Sequence, residues 1–314
     1  MRGGSMTASS MFGIRPGWVS ERLFPFESRF FDSPSGRMHY VDEGEGEPIA
    51  FVHGNPSWSF EFRGVIDRLR ARFRCVAADH IGFGLSERSQ SPRDYSHQTH
   101  ADNFASLLDH LQLRDISLYL TDWGGPIGLD FARRCPDRVR RLILANTWCW
   151  PVNTDRHFIM FSRMMSSPVG RFLNRRFNFF VNQVMPRAVG DRSVLTPEIM
   201  RHYRQAQPNP ESRRACAAFP GHILGASHWL DSIWSARHSF IDKPSLVLWG
   251  HKDIAFRQQE LGVWESELTN FETRIFSQCG HFLAEESPDS VSQSIAEFML
   301  GNPTDCAGNG RRHG

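Results

Sequence analysis

Residues 118–126 read Leu-Tyr-Leu-Thr-Asp-Trp-Gly-Gly-Pro, with Asp122 and Trp123 at the centre. The apolar lead-in has the character of a buried strand, and Gly124-Gly125-Pro126 opens a helix. A strand that passes into a helix through small residues makes a sharp, strained turn with one side chain exposed at its apex. Here that side chain is Asp122. A serine at such an apex attacks acyl carbon, whereas a carboxylate can displace a leaving group from saturated carbon and become an alkyl ester. Aspartate is also a common helix cap, so the chemical reading depends on partners elsewhere in the chain.

Short β-rich runs flank the turn in both directions. Arg37–Val41, Ile49–Val52, Phe73–Ala77, Ile116–Leu120 and Leu142–Ala145 come first; Ser245–Leu248 and Thr273–Phe276 follow a long gap. Ile49-Ala-Phe-Val and Leu246-Val-Leu-Trp are apolar throughout, as in strands covered on both faces. Phe104, Leu107, Leu108 and Leu111 recur at helical spacing within His100–Leu111, and Val291–Met299 repeats the pattern. This alternation predicts a mostly parallel sheet with crossover helices.

The gap, from about Trp150 to Ile241, lacks strand runs and is rich in Phe, Met and Arg. Pro151, Pro168, Pro186, Pro197, Pro208, Pro210 and Pro220 divide it, which predicts short helices broken at the prolines. Because strand runs resume directly afterwards, a cap inserted between two strands is favoured over a separate helical domain. The expected division is an N-terminal extension over 1–22, a core over 23–149 and 241–300, a helical cap over 150–240, and a tail over 301–314. That tail is small, polar and aperiodic, and is expected to be disordered.

Three segments supply partners for Asp122. Phe51-Val-His53-Gly54-Asn55-Pro56 follows a buried strand, where a loop N–H at Asn55, together with that of Trp123, would form an oxyanion hole. Gly280-His281-Phe282 follows the last strand and makes His281 the candidate general base. Leu248-Trp-Gly250-His-Lys-Asp253 follows the strand before it, so Asp253 is the candidate acid that orients His281 and stabilises its imidazolium. The rival position for the acid holds Asn146, which cannot carry the charge. The chain order Asp122, Asp253, His281 is the nucleophile–acid–base order of α/β-hydrolases.

Together, His53-Gly-Asn55-Pro, Asp122-Trp123-Gly-Gly, Asp253 and Gly-His281 resemble the haloalkane dehalogenases, over essentially Phe24 to Met299. The resemblance implies an α/β-hydrolase fold, with a mostly parallel eight-stranded sheet and an inserted helical cap. It implies halide-binding roles for Asn55 and Trp123. Asparagine at 55 with the acid after the penultimate strand is similar to the subfamily usually called the third. The physics agrees, since an amide and an indole N–H are neutral donors that bring no competing ion. They stabilise a departing halide without holding it too tightly for release. Trp58, close by, is read as packing.

The expected partners are a halogenated alkane and a halide ion, with no nucleic acid and no membrane. A formal net charge of +2 provides no electrostatic drive toward nucleic acid, and no run of about 18 apolar residues is present. Residues 1–19 lack the apolar core of a signal peptide. The six cysteines form no Cys-x-x-Cys pair, so a reducing cytoplasm is the expected compartment. No metal or cofactor is expected. An epoxide hydrolase would need acid donors, typically two cap tyrosines, and Tyr203 is the only tyrosine in the cap. A fluoroacetate dehalogenase would, by resemblance, carry an arginine where Trp123 stands. A non-catalytic receptor of this fold should have lost a member of the Asp122–Asp253–His281 set. The cap holds 11 arginines against five acids between Pro151 and Trp234. They are read as solvated faces of amphipathic helices, ahead of a role in steering anions or a partner.

Overall fold

A computed structural model describes residues 15–301. The tail expectation therefore falls, apart from Gly301, outside the described residues, as does the first part of the N-terminal extension. Eight strands form one sheet in the order β1-β2-β4-β3-β5-β6-β7-β8. They are β1 (Arg29–Ser33), β2 (Gly36–Glu43), β3 (Pro48–Val52), β4 (Arg74–Ala78), β5 (Ile116–Asp122), β6 (Val139–Thr147), β7 (Ser245–Gly250) and β8 (Phe271–Phe276). β1 and β2 pair antiparallel, and β2 runs antiparallel to β4; all other pairings are parallel.

The period of two along each strand divides the core into two layers. Ala50 and Val52 of β3, with Leu118 and Leu120 of β5, face one layer; Ile49, Phe51 and Tyr119 face the other. The first layer is covered by α2 (His97–His110) and α3 (Gly124–Arg134), the second by α1 (Arg63–Leu69) and α12 (Pro288–Leu300). With apolar helices on both sides, Ile49–Val52 of β3 and Leu246–Trp249 of β7 are apolar throughout and buried, as their sequences predict. β1 has no such signature: Arg-Phe-Phe-Asp-Ser lies half exposed at the sheet edge, and the sequence reading missed it.

Between β6 and β7 the chain leaves the sheet and forms the helical cap: α4 (Arg156–Ser166), α5 (Pro168–Phe177), α6 (Met185–Ala188), α7 (Pro197–Gln205), α8 (Arg214–Gly225) and α9 (Ser227–Ser235). The remaining helices are α10 (Gln258–Glu267) and α11 (Leu283–Glu286). Side-chain caps start several of the cap helices: Asp155 accepts from the His157 N–H, Ser167 from Gly170 and Thr196 from Ile199. Pro168 and Pro197 sit in the first turn, where a missing N–H costs nothing. Pro220 departs from expectation, for it lies inside α8 without ending it.

Candidate active site

Asp122 ends β5 and Trp123 precedes α3, so the turn read from the sequence is present. Asp122 has φ 48°, in the left-handed region that disfavours residues with a side chain. The helix can follow so closely because a Cβ on Gly125 would stand 1.8 Å from Thr147 Oγ1. The Thr147 hydroxyl in turn donates to the Asp122 carbonyl at 2.6 Å.

The loop after β3 closes over the Asp122 carboxylate. Gly54 is required there, since a Cβ would meet Asp122 Oδ2 at 2.2 Å. The Asn55 backbone N–H donates to Oδ2 at 2.8 Å, and the neighbouring Trp123 backbone N–H helps lower the pKa of the carboxylate. His53 holds this loop in place: its Nε2 accepts from the His80 N–H at 3.0 Å and its Nδ1 bonds the Gly54 carbonyl at 2.8 Å. Burial lowers its pKa, which fits the neutral ring this arrangement needs.

Asp253 and His281 come from loops after β7 and β8. Asp253 Oδ2 lies 2.9 Å from His281 Nδ1, and Asp253 Oδ1 accepts from the Ala255 N–H at 2.6 Å. His281 Nε2 is 3.8 Å from Asp122 Oδ1, beyond hydrogen-bond length. Burial raises the Asp122 pKa, with a smaller push from the Asp253 charge, offset in part by His281 and the two backbone N–H groups. Burial alone would lower that of His281, but the Asp253 carboxylate, then Asp122 and Glu61, raise it to about 9.

Two contributors were not assigned from the sequence. Asn146 was recognised only as a position lacking charge. Its Oδ1 accepts from the Gly250 N–H and its Nδ2 donates to the Gly280 carbonyl, both at 2.8 Å. It therefore ties the loop that carries Asp253 to the loop that carries His281. Glu61 lies buried in the short turn of helix Ser59–Phe62, and burial pushes its carboxyl up to about 7. Its one signal in the sequence is an acid amid the apolar run Trp58–Phe62.

The two expected halide donors face one cavity of about 300 Å³, whose remaining lining is almost wholly apolar. The Trp123 indole packs edge-on against Trp148, ring centroids 4.9 Å apart, and lies 5.0 Å from Phe219. Its Nε1–H has no hydrogen-bond partner among the described residues. Asn55 Nδ2 lies 3.4 Å from the Cys216 carbonyl oxygen in α8. That carbonyl has no helical donor because the residue four positions on is Pro220. Tyr203 does not line the cavity; its hydroxyl donates to Glu285 Oε2 at 2.7 Å. Trp58 stacks on Phe60 with centroids 5.3 Å apart, in keeping with a packing role.

Comparison with known proteins agrees with this architecture. The alpha/beta hydrolase fold family model matches residues 47–288. Haloalkane dehalogenase 2 of Mycobacterium tuberculosis is 42% identical over 280 residues, covering 88% of this chain and 96% of that protein. A cis-3-alkyl-4-alkyloxetan-2-one decarboxylase of Shewanella oneidensis is 31% identical over 296 residues, covering 90% and 92%. Among solved structures, a haloalkane dehalogenase from Agrobacterium tumefaciens superposes with a TM-score of 0.78 at 26% identity, covering 90% of this chain and 99% of that one.

Proposed function

The chain belongs to the haloalkane dehalogenase family within the α/β-hydrolase fold, and on that premise we propose a two-step displacement and hydrolysis with Asp122 as the nucleophile. In the first step Asp122 Oδ1, the oxygen not bonded to Asn55, attacks the halogen-bearing carbon. The C–O bond forms as the C–halogen bond breaks, and the halide is received by the Trp123 indole N–H and the Asn55 amide. In the second step His281 takes a proton from water, which attacks the ester carbonyl carbon of Asp122. The charge that develops on Oδ2 meets the backbone N–H groups of Asn55 and Trp123. The alcohol departs with the second proton of that water, and His281 keeps the one it took, which restores the protonated resting state beside the regenerated carboxylate.

The charge state of His281 orders these steps. With Asp122 ionised, the imidazole is held to about 9 and is protonated at neutral pH, so it does not compete as a base. Alkylation removes the Asp122 charge, one of the influences raising that pKa, so His281 gives up its proton to solvent and is free to accept another when water attacks. The observation that most supports the reading is a carboxylate with one oxygen held by the Asn55 backbone N–H and the other 3.8 Å from a histidine, under an apolar cavity.

The test is His281→Phe. It should leave alkylation intact and block hydrolysis, releasing one equivalent of halide in a burst, with an alkyl adduct on the Asp122 peptide by mass spectrometry. Continued turnover, or an adduct elsewhere, would count against the assignment.

The decarboxylase relative supports a second reading, in which Asp122 attacks the ring carbon bearing the ring oxygen of a cis-3,4-dialkyl oxetan-2-one, the C–O bond breaks to free the carboxylate, and loss of that carboxylate as carbon dioxide expels the Asp122 carboxylate and leaves an alkene. An almost wholly apolar cavity suits two alkyl chains, and neutral donors suit a departing carboxylate as well as a halide. Carbon dioxide release from such a lactone, compared with halide release from bromoalkanes, separates the two.

A further inference from the structure

The cap presents an unusual face beside the cavity. Met160, Met164, Val169, Phe172 and Phe177 are each more than half exposed, all on α4 and α5. On α4 the exposed positions Arg156, Met160, Arg163 and Met164 share one side of the helix, while Phe158, Ser162 and Met165 are buried on the other. Between residues 156 and 190 the chain has six arginines and no acidic residue. Arg175 pairs with Glu211, whereas Arg156, Arg163, Arg171 and Arg176 form no ion pair among the described residues. Solvation of amphipathic helices, the reading taken from the sequence, accounts for the arginines but not for the exposed Phe and Met between them. Met160 and Met164 are both exposed and part of the cavity lining, so this face adjoins the cavity mouth.

We propose that the exposed face of α4 and α5 docks on an anionic lipid bilayer, from which apolar substrate enters the cavity past Met160 and Met164. Apolar side chains interleaved with unpaired arginines are what an interfacial helix needs. The first enter the acyl boundary and the second meet lipid phosphates. A second copy of the chain fits less well, because a two-fold contact sets this face against itself and brings arginine against arginine. No helix among the described residues is long and apolar enough to cross a membrane, so the contact is with the surface. The inference rests on the cavity being the substrate site.

The experiment is co-sedimentation of the full chain with vesicles of phosphatidylcholine alone, or containing about a third phosphatidylglycerol. Expected is binding to the anionic vesicles that weakens with added salt. Arg171→Glu with Arg176→Glu should weaken it roughly tenfold or more, and Phe172→Ser with Phe177→Ser should weaken it at both low and high salt. None of these four residues lines the cavity, so turnover of a short, water-soluble bromoalkane without vesicles should match the parent protein in every variant. Equal binding to both vesicle types, no binding, or indifference to the charge reversal would overturn the proposal. So would a dimer in sedimentation velocity that the Phe172 and Phe177 substitutions dissolve, since a second copy would then cover the face. Absence of bromoalkane turnover in the parent protein would sink the dehalogenase reading instead, whatever the vesicles show.

Discussion

Asp253 and Asn146 both touch the machinery around His281, but by different means. Asp253 holds a charge against Nδ1; Asn146 has no charge and joins the loops that carry Gly250 and Gly280. Asp253→Asn should therefore lower turnover by about 10⁴, the scale of the analogous change in serine hydrolases. Asn146→Ala should cost less, about 10²-fold, the effect of a displacement of about 1 Å. Steady-state kinetics with the reverse ranking would put the acid on the wrong strand. Trp123 offers a separate test, because its Nε1–H has no partner among the described residues while its ring packs on Trp148 and Phe219. Trp123→Phe keeps most of the packing and deletes the donor, a loss of about 3–4 kcal/mol in the transition state. Halide release from chloroalkanes should slow more than from bromoalkanes, since chloride is the poorer leaving group. Equal slowing would make Trp123 a packing residue only.

At the scale of elements, α8 matters for what its proline withholds. Pro220 cannot donate to the Cys216 carbonyl, and the oxygen lies instead 3.4 Å from Asn55 Nδ2. One amide hydrogen is thus directed at the cap and the other is left for the cavity. Pro220→Ala would return an N–H to compete for that carbonyl. The expected result is a raised Tm, from better helix propensity, together with a slower alkylation burst, from an Asn55 amide no longer held. An unchanged burst would show that the Cys216 carbonyl does not position Asn55. A stabilising substitution that slows chemistry would also be hard to explain by damage to the fold.

Across the whole molecule, buried histidines set the pH range of stability. Burial lowers His97 to about 4 and His100 to about 3 and also depresses His53 and His80, so all four favour the neutral form. For a histidine lowered on folding, the stability contribution is complete above its unfolded pKa of about 6.5 and is lost as pH falls below it. His281 behaves oppositely. Its pKa rises to about 9, against the pull of burial, so its contribution is complete below about 6.5 and is lost as pH rises through 9. Thermal unfolding followed from pH 4 to 10 should show a Tm that falls at both ends. Asp253→Asn should flatten the alkaline limb and leave the acid limb. An alkaline limb of unchanged slope in that variant would remove His281 as its source.

Much of the fold follows from local pattern. Apolar strands such as Ile49–Val52 and Leu246–Trp249 announce burial on both faces, and Asp122 flanked by Thr121, Gly124 and Gly125 announces its turn, because backbone sterics there act within a few residues. The edge strand β1 escaped notice because one covered face leaves only a weak alternation. The residues proposed for the chemistry were legible as motifs, each at the end of a strand whose position the hydrolase order fixes. What needed the tertiary structure were contacts between segments with no sequence relation. Asn146 lies 134 residues from the Gly280 it bonds, and Cys216 lies 161 from Asn55. Glu61 became a buried acid within reach of the charges of Asp122 and His281 only once helix and loops closed over it. The exposed apolar face of the cap belongs with these. Spacing along α4 and α5 marks which residues share a side of a helix, but whether that side meets the core or the solvent is decided by how the helices pack.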